Sequence, residues 1–150
     1  MQPDTETKAA AGQARWSAPD VIPTFSYQDA KAAIDFLHDA FGFDVHAVFE
    51  GEGSTVQHAE LRVGSGMIML GTAHPDRPDW PTRAPGELGD ATGGTYVIVS
   101  DPDAHFARAQ AAGAEIVRGL VDQDYGSREY SVRDTEGYIW SFGTYRPTAG

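Results

Sequence analysis

Apolar and polar positions between residues 21 and 72 alternate with the periods of one helix and four strands. Five apolar residues of QDAKAAIDFLHDAFGF recur at helical spacing: Ala30, Ala33, Ile34, Leu37 and Phe41. Gly42 suits the position just after the helix end. Strands are predicted in VIPTFSY, DVHAVFE, TVQHAELRV and MIML, with the last three separated by the turns GEGS and GSG. The predicted order is β-α-β-β-β.

The same order begins again at Gly93. GGTYVIVS predicts a strand, and SDPDAHFARAQAAG predicts a helix that Ser100 or Asp101 caps and Gly113 closes. AEIVRGLV, SREYSVR and YIWSFG predict three further strands. Two pairs of glycines lie 71 residues apart, Gly42 with Gly113 and Gly66 with Gly137. We therefore interpret the chain as a duplicated supersecondary module.

These patterns divide the chain. Residues 1–20 are polar and Ala-rich and are predicted to be a disordered tail, in which Trp16 is the side chain suited to docking on the body. Residues 21–147 form one domain, with module one at 21–72, an irregular, proline-rich connecting loop at 73–92 and module two at 93–147.

Composition limits the possible functions. The chain has no cysteine, which excludes disulfides, zinc–thiolate sites and thiol catalysis and fits a cytoplasmic protein. A net charge of −11 disfavours nucleic acid as a partner and suits either solubility or a cationic ligand. No apolar run is long enough to span a membrane, and the N-terminus lacks the pattern of a signal peptide.

With QDAKAAIDFLHDAFGF in one module and VRDTEGYIWSFG in the other, the chain resembles the vicinal oxygen chelate superfamily of glyoxalases, bleomycin-resistance proteins and extradiol dioxygenases. HAELRVGSGMIMLG and YGSREYSVRDTEGYIWSFG are most similar to its PhnB-like branch. The resemblance implies an α+β fold in which two βαβββ modules form a curved mixed-sheet cup with the helices outside. It also implies a homodimer.

The resemblance bears on a metal cofactor as well. Metal enzymes of that family carry a His or Glu at four concave positions, which matching by the glycines places here within 22–24, at Gly94 or Thr95, at Met69 or Leu70, and at Ser141. None of these residues is a His, Asp or Glu, whereas a catalytic ion needs about three protein ligands. We therefore expect no metal and no other cofactor.

Strand periodicity assigns side chains to the cup. His58 and Glu60 alternate with Ala59 and Leu61 and are expected on the cup side, either as a polar lining, as a proton-transfer pair, or as two ligands of a relocated metal site. Met69 is expected in the pocket wall or the core.

In module two, Glu129 and Ser141 are expected to face the cup, while Arg128 points away and Trp140 packs under the helix. Trp80, in the connecting loop, either covers the mouth of the cup or fills the junction of the modules. The predicted ligand-binding residues are thus His58, Glu60, Met69, Trp80, Glu129 and Ser141.

Two functions remain open from the sequence. The favoured one is a metal-independent binding protein that sequesters a cationic or aromatic, antibiotic-like small molecule, with no catalytic residue. The alternative is a lyase, isomerase or dioxygenase-type enzyme with an atypical site around His58 and Glu60. No nucleophile or nucleotide-binding motif favours another class of enzyme.

Overall fold

The computed structural model describes residues 16–149 and contains two βαβββ modules. The first comprises β1 (Thr24–Tyr27), α1 (Ala30–Phe41), β2 (Asp44–Glu50), β3 (Val56–Val63) and β4 (Gly66–Thr72). The second comprises β5 (Gly94–Ile98), α3 (Pro102–Ala111), β6 (Glu115–Asp122), β7 (Arg128–Arg133) and β8 (Ile139–Gly143). A four-residue helix, α2 (Pro85–Leu88), lies in the connection between them.

Each module forms one four-stranded mixed sheet, and the two sheets have the same topology. The strand orders are β1-β4-β3-β2 and β5-β8-β7-β6. β1 runs parallel to β4 and β5 parallel to β8, while the other neighbours are antiparallel. The predicted α+β fold class and the repeated βαβββ order are confirmed.

One of the two glycine pairs that are separated by 71 residues lies at the ends of the two long helices. Gly42 (φ 75°) and Gly113 (φ 84°) both adopt the left-handed conformation that ends a helix at little cost only for glycine. The pairing of Gly66 with Gly137 was wrong. Gly64 takes the left-handed position of the first module's turn, whereas Gly66 already pairs with Val63 in β4.

The two modules share a single apolar core. Each sheet turns one face, here called its inner face, toward α1 and α3. Eight inner-face residues of β3, β4, β7 and β8 are buried: Ala59, Leu61, Ile68, Leu70, Tyr130, Val132, Trp140 and Phe142. The ring of Phe25 on β1 lies 5.3 Å from that of Trp140, and the ring of Phe41 on α1 lies 4.8 Å from that of Phe142. The inner faces therefore pack toward each other, and Trp140 is a core residue as predicted.

Polar groups also join the modules. The buried carboxylate of Asp134, in the β7–β8 turn, accepts hydrogen bonds from the Tyr27 hydroxyl (2.6 Å) and from Trp140 Nε1 (3.0 Å). The hydroxyl of Tyr138 accepts from the backbone N–H of Ser26 and donates to its carbonyl, which satisfies the edge of β1 that β4 leaves free.

The opposite face of each sheet, here called its outer face, points away from the shared core. The first outer face carries His58, Glu60, Arg62, Met67 and Met69, and the second carries Tyr96, Glu129, Ser131 and Ser141. One chain thus presents two separate outer faces, one from each sheet. Across residues 16–149, no helix combines the length and apolar character that a membrane crossing requires.

Residues 1–15 of the predicted tail lie outside the described residues. From Trp16 onward the chain contacts the body, because the Arg62 guanidinium lies 4.4 Å from the centroid of the Trp16 ring. This stacking places Trp16 against the first outer face.

Candidate functional site

The first outer face brings together three of the residues predicted to bind ligand. In the β3–β4 pairing, Glu60 lies opposite Met69 and Arg62 opposite Met67, so these side chains share a face with His58. His58, Glu60 and Met69 are all partly exposed, whereas Met67 is buried. The face therefore combines a thioether surface with charged and imidazole groups.

His58 and Glu60 form a direct pair. Nε2 of His58 donates to Oε2 of Glu60 at 2.9 Å, and Nε2 of His46 lies 3.9 Å from the other carboxylate oxygen. The ring of Phe49 lies beside His58 with centroids 5.9 Å apart. Chemically, such a pair can orient a polar group of a ligand or exchange a proton with it.

The second outer face carries the other predicted sheet residues. Ser141 lies opposite Ser131, with their hydroxyl oxygens 2.7 Å apart, and opposite Tyr96 of β5. The sequence placed the concave position of β5 at Gly94 or Thr95; Gly94 does share the outer face, but the residue opposite Ser141 is Tyr96. Thr95 lies opposite Trp140 on the inner face, and Tyr96 occupies the outer face.

Glu129 lies at the base of the second outer face and is only 4% exposed. Its carboxylate accepts from the hydroxyls of Tyr125 (2.8 Å) and Tyr96 (3.2 Å), and Nη2 of Arg118 lies 3.5 Å away. Burial acts to raise the pKa of Glu129, but hydrogen bonds from Ser127 and the two tyrosines hold it below its ordinary value. The carboxyl group is therefore ionised at neutral pH.

A glycine makes room for this carboxylate. Gly143 lies opposite Glu129 in the β7–β8 ladder, and a Cβ there would be 2.5 Å from Cγ of Glu129 and 2.6 Å from the Tyr96 hydroxyl. The side chain of any larger residue at position 143 would therefore displace both Glu129 and Tyr96. Gly143 thus shapes the second outer face without contributing a side chain.

Two charged or aromatic candidates lie elsewhere. Arg128 points away from the second outer face, as predicted, and donates to Asp103 of α3 (2.7 Å) and to Asp122 of β6 (3.0 Å). Trp80 is 49% exposed in the connecting loop. The structure places no other predicted ligand-binding residue against Trp80, and its role in binding stays a prediction.

The residues at the family's four metal positions do not fit a metal ion. By strand register these positions are Thr24 and Met69 in the first sheet and Tyr96 and Ser141 in the second. Alcohol, phenol and thioether groups do not form the His and carboxylate set that a catalytic divalent ion requires. Across residues 16–149, no three His, Asp or Glu side chains are grouped so that they could hold an ion.

Within one chain the two outer faces approach each other at the module junction. A cleft of about 330 Å³ at the module junction includes Met67 and Tyr96 from their margins, together with Arg146. The cleft is not lined by the predicted sheet residues, which are His58, Glu60, Met69, Glu129 and Ser141. The predicted sheet residues are therefore divided between two separate half-sites.

Sequence reasoning missed the tyrosines around Glu129. Tyr96 could have been found from the alternation of GGTYVIVS, since it is one residue from the assigned position. Tyr125 and Tyr145 flank the two strands in YGSREYSVRDTEGYIWSFGTY, but nothing in their spacing indicates that they meet. Their rings contact each other in the structure, with centroids 5.7 Å apart.

Comparisons with known proteins agree with this architecture. Residues 23–142 match the family model described as Glyoxalase/Bleomycin resistance protein/Dioxygenase superfamily. An uncharacterized protein of Mycobacterium bovis is 34% identical over 125 residues, which are 83% of this chain and 82% of that protein. A similar uncharacterized protein of Mycobacterium tuberculosis is also 34% identical, with 83% of this chain and 74% of that protein covered.

Solved structures give the same result for the fold. The crystal structure of TioX from Micromonospora sp. ML1 has a TM-score of 0.67 at 33% identity and covers 88% of this chain and 100% of its own. A PhnB protein from Bacillus cereus has a TM-score of 0.61 at 14% identity, covering 85% of this chain and 100% of that one, which shows likeness of fold alone.

Proposed function

Since the chain belongs to the glyoxalase/bleomycin resistance protein/dioxygenase superfamily, we propose that it is a metal-independent small-molecule binding protein whose site is completed by a second copy of the chain. In this homodimer the first outer face of one copy closes over the second outer face of the other. We place it in the cytoplasm, in keeping with its lack of cysteine.

The observation that carries the proposal is the openness of both half-sites. A ligand pocket normally buries 70–90% of a drug-sized ligand, which a single exposed sheet face cannot do. Side chains suited to a ligand are nevertheless concentrated on these two faces, with His58, Glu60 and Met69 on one and Glu129 and Ser141 on the other. Pairing the faces would supply the missing wall.

The side chains on the two outer faces favour a flat, partly aromatic ligand. Met67, Met69 and Phe49 supply adaptable apolar surface in the first half-site, and Tyr96 supplies an aromatic ring in the second. A small number of polar groups would fix the orientation of the ligand. We therefore expect sequestration of a planar natural product of the antibiotic type, with Trp80 closing over it.

The test combines ligand titration with measurement of assembly. The full chain, purified without a tag, is titrated with metal-free bleomycin, the cationic dye acridine orange and the uncharged dye Nile red, and its mass is followed by sedimentation equilibrium. We expect a dimer and micromolar or tighter binding of at least one probe. Met69→Glu should weaken that binding, while Ala107→Glu on the exposed side of α3 should not. A chain that stays monomeric and binds none of the probes would refute the proposal.

One observation favours a second candidate. The His58–Glu60 pair, at 2.9 Å on an open face, has the form of a general acid–base unit, as a lyase or isomerase of the superfamily would need. Stoichiometric Ni, Zn, Fe or Mn in the untagged protein would also support an enzyme and contradict metal independence. Turnover of a bound compound that His58→Gln abolishes, with binding retained, would decide for catalysis.

A further inference from the structure

The surroundings of Glu129 differ from those of an ordinary buried carboxylate. Two tyrosines contact it and a third adjoins them, and all three residues are partly exposed: 39% for Tyr96, 55% for Tyr125 and 45% for Tyr145. Tyr96 and Tyr125 donate their hydroxyls to the carboxylate, and the backbone N–H of Tyr145 donates to the Tyr96 hydroxyl at 2.9 Å. A buried anion thus lies beneath an exposed aromatic surface.

The charge of Glu129 lacks a close cation. Charge-assisted N–H···O bonds are usually about 2.7–2.9 Å long, whereas Nη2 of Arg118 lies 3.5 Å from Oε1 of Glu129. The Arg118 side chain is also 49% exposed, so it is held only loosely at this position. Since a buried charge is costly unless it is paired, the site favours a better placed cation.

The aromatic rings are arranged to hold such a cation. The planes of Tyr125 and Tyr145 stand at 89° to each other, with centroids 5.7 Å apart, so the two rings form a corner. The face of an aromatic ring attracts an organic cation within about 6 Å of its centroid. The hydroxyl of Tyr125 donates to Glu129, which places this corner next to the carboxylate.

These three tyrosines are not part of the apolar core. The opposite side of β7 and β8 already packs into the core through Tyr130 and Trp140, both fully buried. Large apolar rings clustered on a surface usually mark an interaction site. A carboxylate held ionised beneath them gives that site a preference for positive charge.

We propose that Glu129, Tyr96, Tyr125 and Tyr145 recognise an organic ammonium group of the ligand, which displaces the guanidinium of Arg118. This inference rests on the proposed binding function and specifies one chemical group of the ligand. The cation would lie in the tyrosine corner and neutralise Glu129, while the remainder of the ligand extends along the second outer face.

The test uses two probes of the same shape that differ in charge. Choline and its uncharged isostere 3,3-dimethylbutan-1-ol are titrated against the full chain, and the tyrosine ring signals are followed by NMR. We expect choline to bind about tenfold more tightly than the alcohol, since cation–π and charge contacts of this kind contribute about that factor. Glu129→Gln should reduce choline affinity to that of the alcohol. The matched control, Glu115→Gln, changes an exposed carboxylate of the same sheet and should preserve the preference.

Two further variants keep the test decisive if Glu129→Gln does not fold. Arg118→Ala removes the competing guanidinium and should tighten choline binding severalfold, and Tyr125→Leu should weaken choline more than the alcohol. Equal affinity for the two probes in the unmodified chain would overturn the inference. If Nile red still binds in that case, the proposed binding function survives; if no probe binds, both fail.

Discussion

The buried carboxylate of Asp134 links the two modules by hydrogen bonds. Its Oδ2 accepts from Tyr27 in β1 and from Trp140 in β8, while its Oδ1 accepts from the backbone N–H groups of Glu136 and Tyr138. Hydrogen bonds to both oxygens stabilise a buried carboxylate. Loss of one donor leaves part of its negative charge without a hydrogen bond.

We therefore expect Tyr27→Phe to lower the free energy of unfolding by about 2 kcal/mol, because the lost hydrogen bond is made to a buried charged group. Urea denaturation followed by circular dichroism measures the change. Tyr145→Phe makes the same chemical change in a ring that is 45% exposed and should have a much smaller effect. Equal losses for the two variants would contradict the role assigned to Asp134.

His105 gives the fold a dependence on pH. Its Nε2 donates to the carbonyl of Phe41 (3.0 Å) and its Nδ1 accepts from Tyr130 (2.6 Å), so the neutral ring fits the site. Burial lowers the pKa of His105 from its ordinary value of 6.5. The unfolded chain then binds a proton at His105 at a higher pH than the folded chain does. The stability that neutral His105 contributes is therefore present above pH 6.5 and is lost as the pH falls below it.

Accordingly, we expect the melting temperature to fall between neutral pH and about pH 5, and His105→Gln to reduce that fall while lowering stability at neutral pH. Differential scanning calorimetry over this pH range measures both effects. His74→Gln, in the exposed connecting loop, is the matched control and should leave the fall unchanged. An unaltered pH profile in His105→Gln would show that other groups cause the dependence.

At the scale of single residues, the sequence predicted which face of a strand a side chain occupies better than it predicted which side chains meet. Alternation along β3 was enough to place His58 and Glu60 on the first outer face, because the strand period is fixed by geometry. Glu129 was placed by the repeat, since it lies 71 residues after His58. The tyrosine corner could not be predicted, since Tyr125 and Tyr145 come together only through the turn and strand pairing between them. Contacts of this kind depend on register, which a local pattern does not specify.

At the scale of elements, the two long helices end in the same way but are not equally constrained. The guanidinium of Arg108 on α3 donates to the carbonyls of His38 and Asp39 at the end of α1. A Cβ at Gly42 would lie 2.9 Å from Nη1 of Arg108, whereas a Cβ at Gly113 would meet nothing within 4 Å. Gly42 is thus needed both for its backbone conformation and for the packing of α3 against α1.

Gly113→Ala should therefore cost about 1–2 kcal/mol, which is the penalty of the left-handed conformation for a residue with a Cβ. Gly42→Ala should cost more, because Arg108 must also leave the carbonyls of α1. Chemical denaturation of both variants measures the difference. In an Arg108→Ala background the two costs should become equal, and a difference that persists would exclude Arg108 as its cause.

The short helix α2 shows where element prediction fails. The N–H of Gly86 donates to the carbonyl of Glu136 at 2.7 Å, and a Cβ at Gly137 would lie 2.8 Å from the nitrogen of Gly86. The segment is positioned by a turn about fifty residues away, so its own sequence, with four prolines in the surrounding loop, indicated only an irregular connection. The long strands and helices were predicted because their periodicity is intrinsic.

At the scale of the whole molecule, the sequence indicated two modules but not how they pack. Phe41 and Trp140 were expected to be buried, yet periodicity does not say against which neighbour. In the structure their rings meet across the module boundary. Each module consequently depends on the other for part of its core.

We therefore expect residues 93–150, expressed alone, to lack the ordered signals of a folded domain, because Trp140 and Phe142 would lose their contacts with α1 and β1. Mixing with residues 1–92 should restore a folded complex, as measured by tryptophan fluorescence and NMR dispersion. The intact chain cut within the loop at residues 76–80 is the matched control and should remain folded. An isolated second module that is fully folded would contradict the shared core.

The hydroxyl of Tyr138 has one more consequence. By satisfying both backbone groups of Ser26, it removes the unpaired margin on which another polypeptide could add a strand to β1. Tyr138→Phe should expose that margin and favour fibrillar self-association, visible as thioflavin fluorescence during prolonged incubation. The native protein is thereby protected from open-ended polymerisation at β1, and association through its outer faces can remain closed and finite.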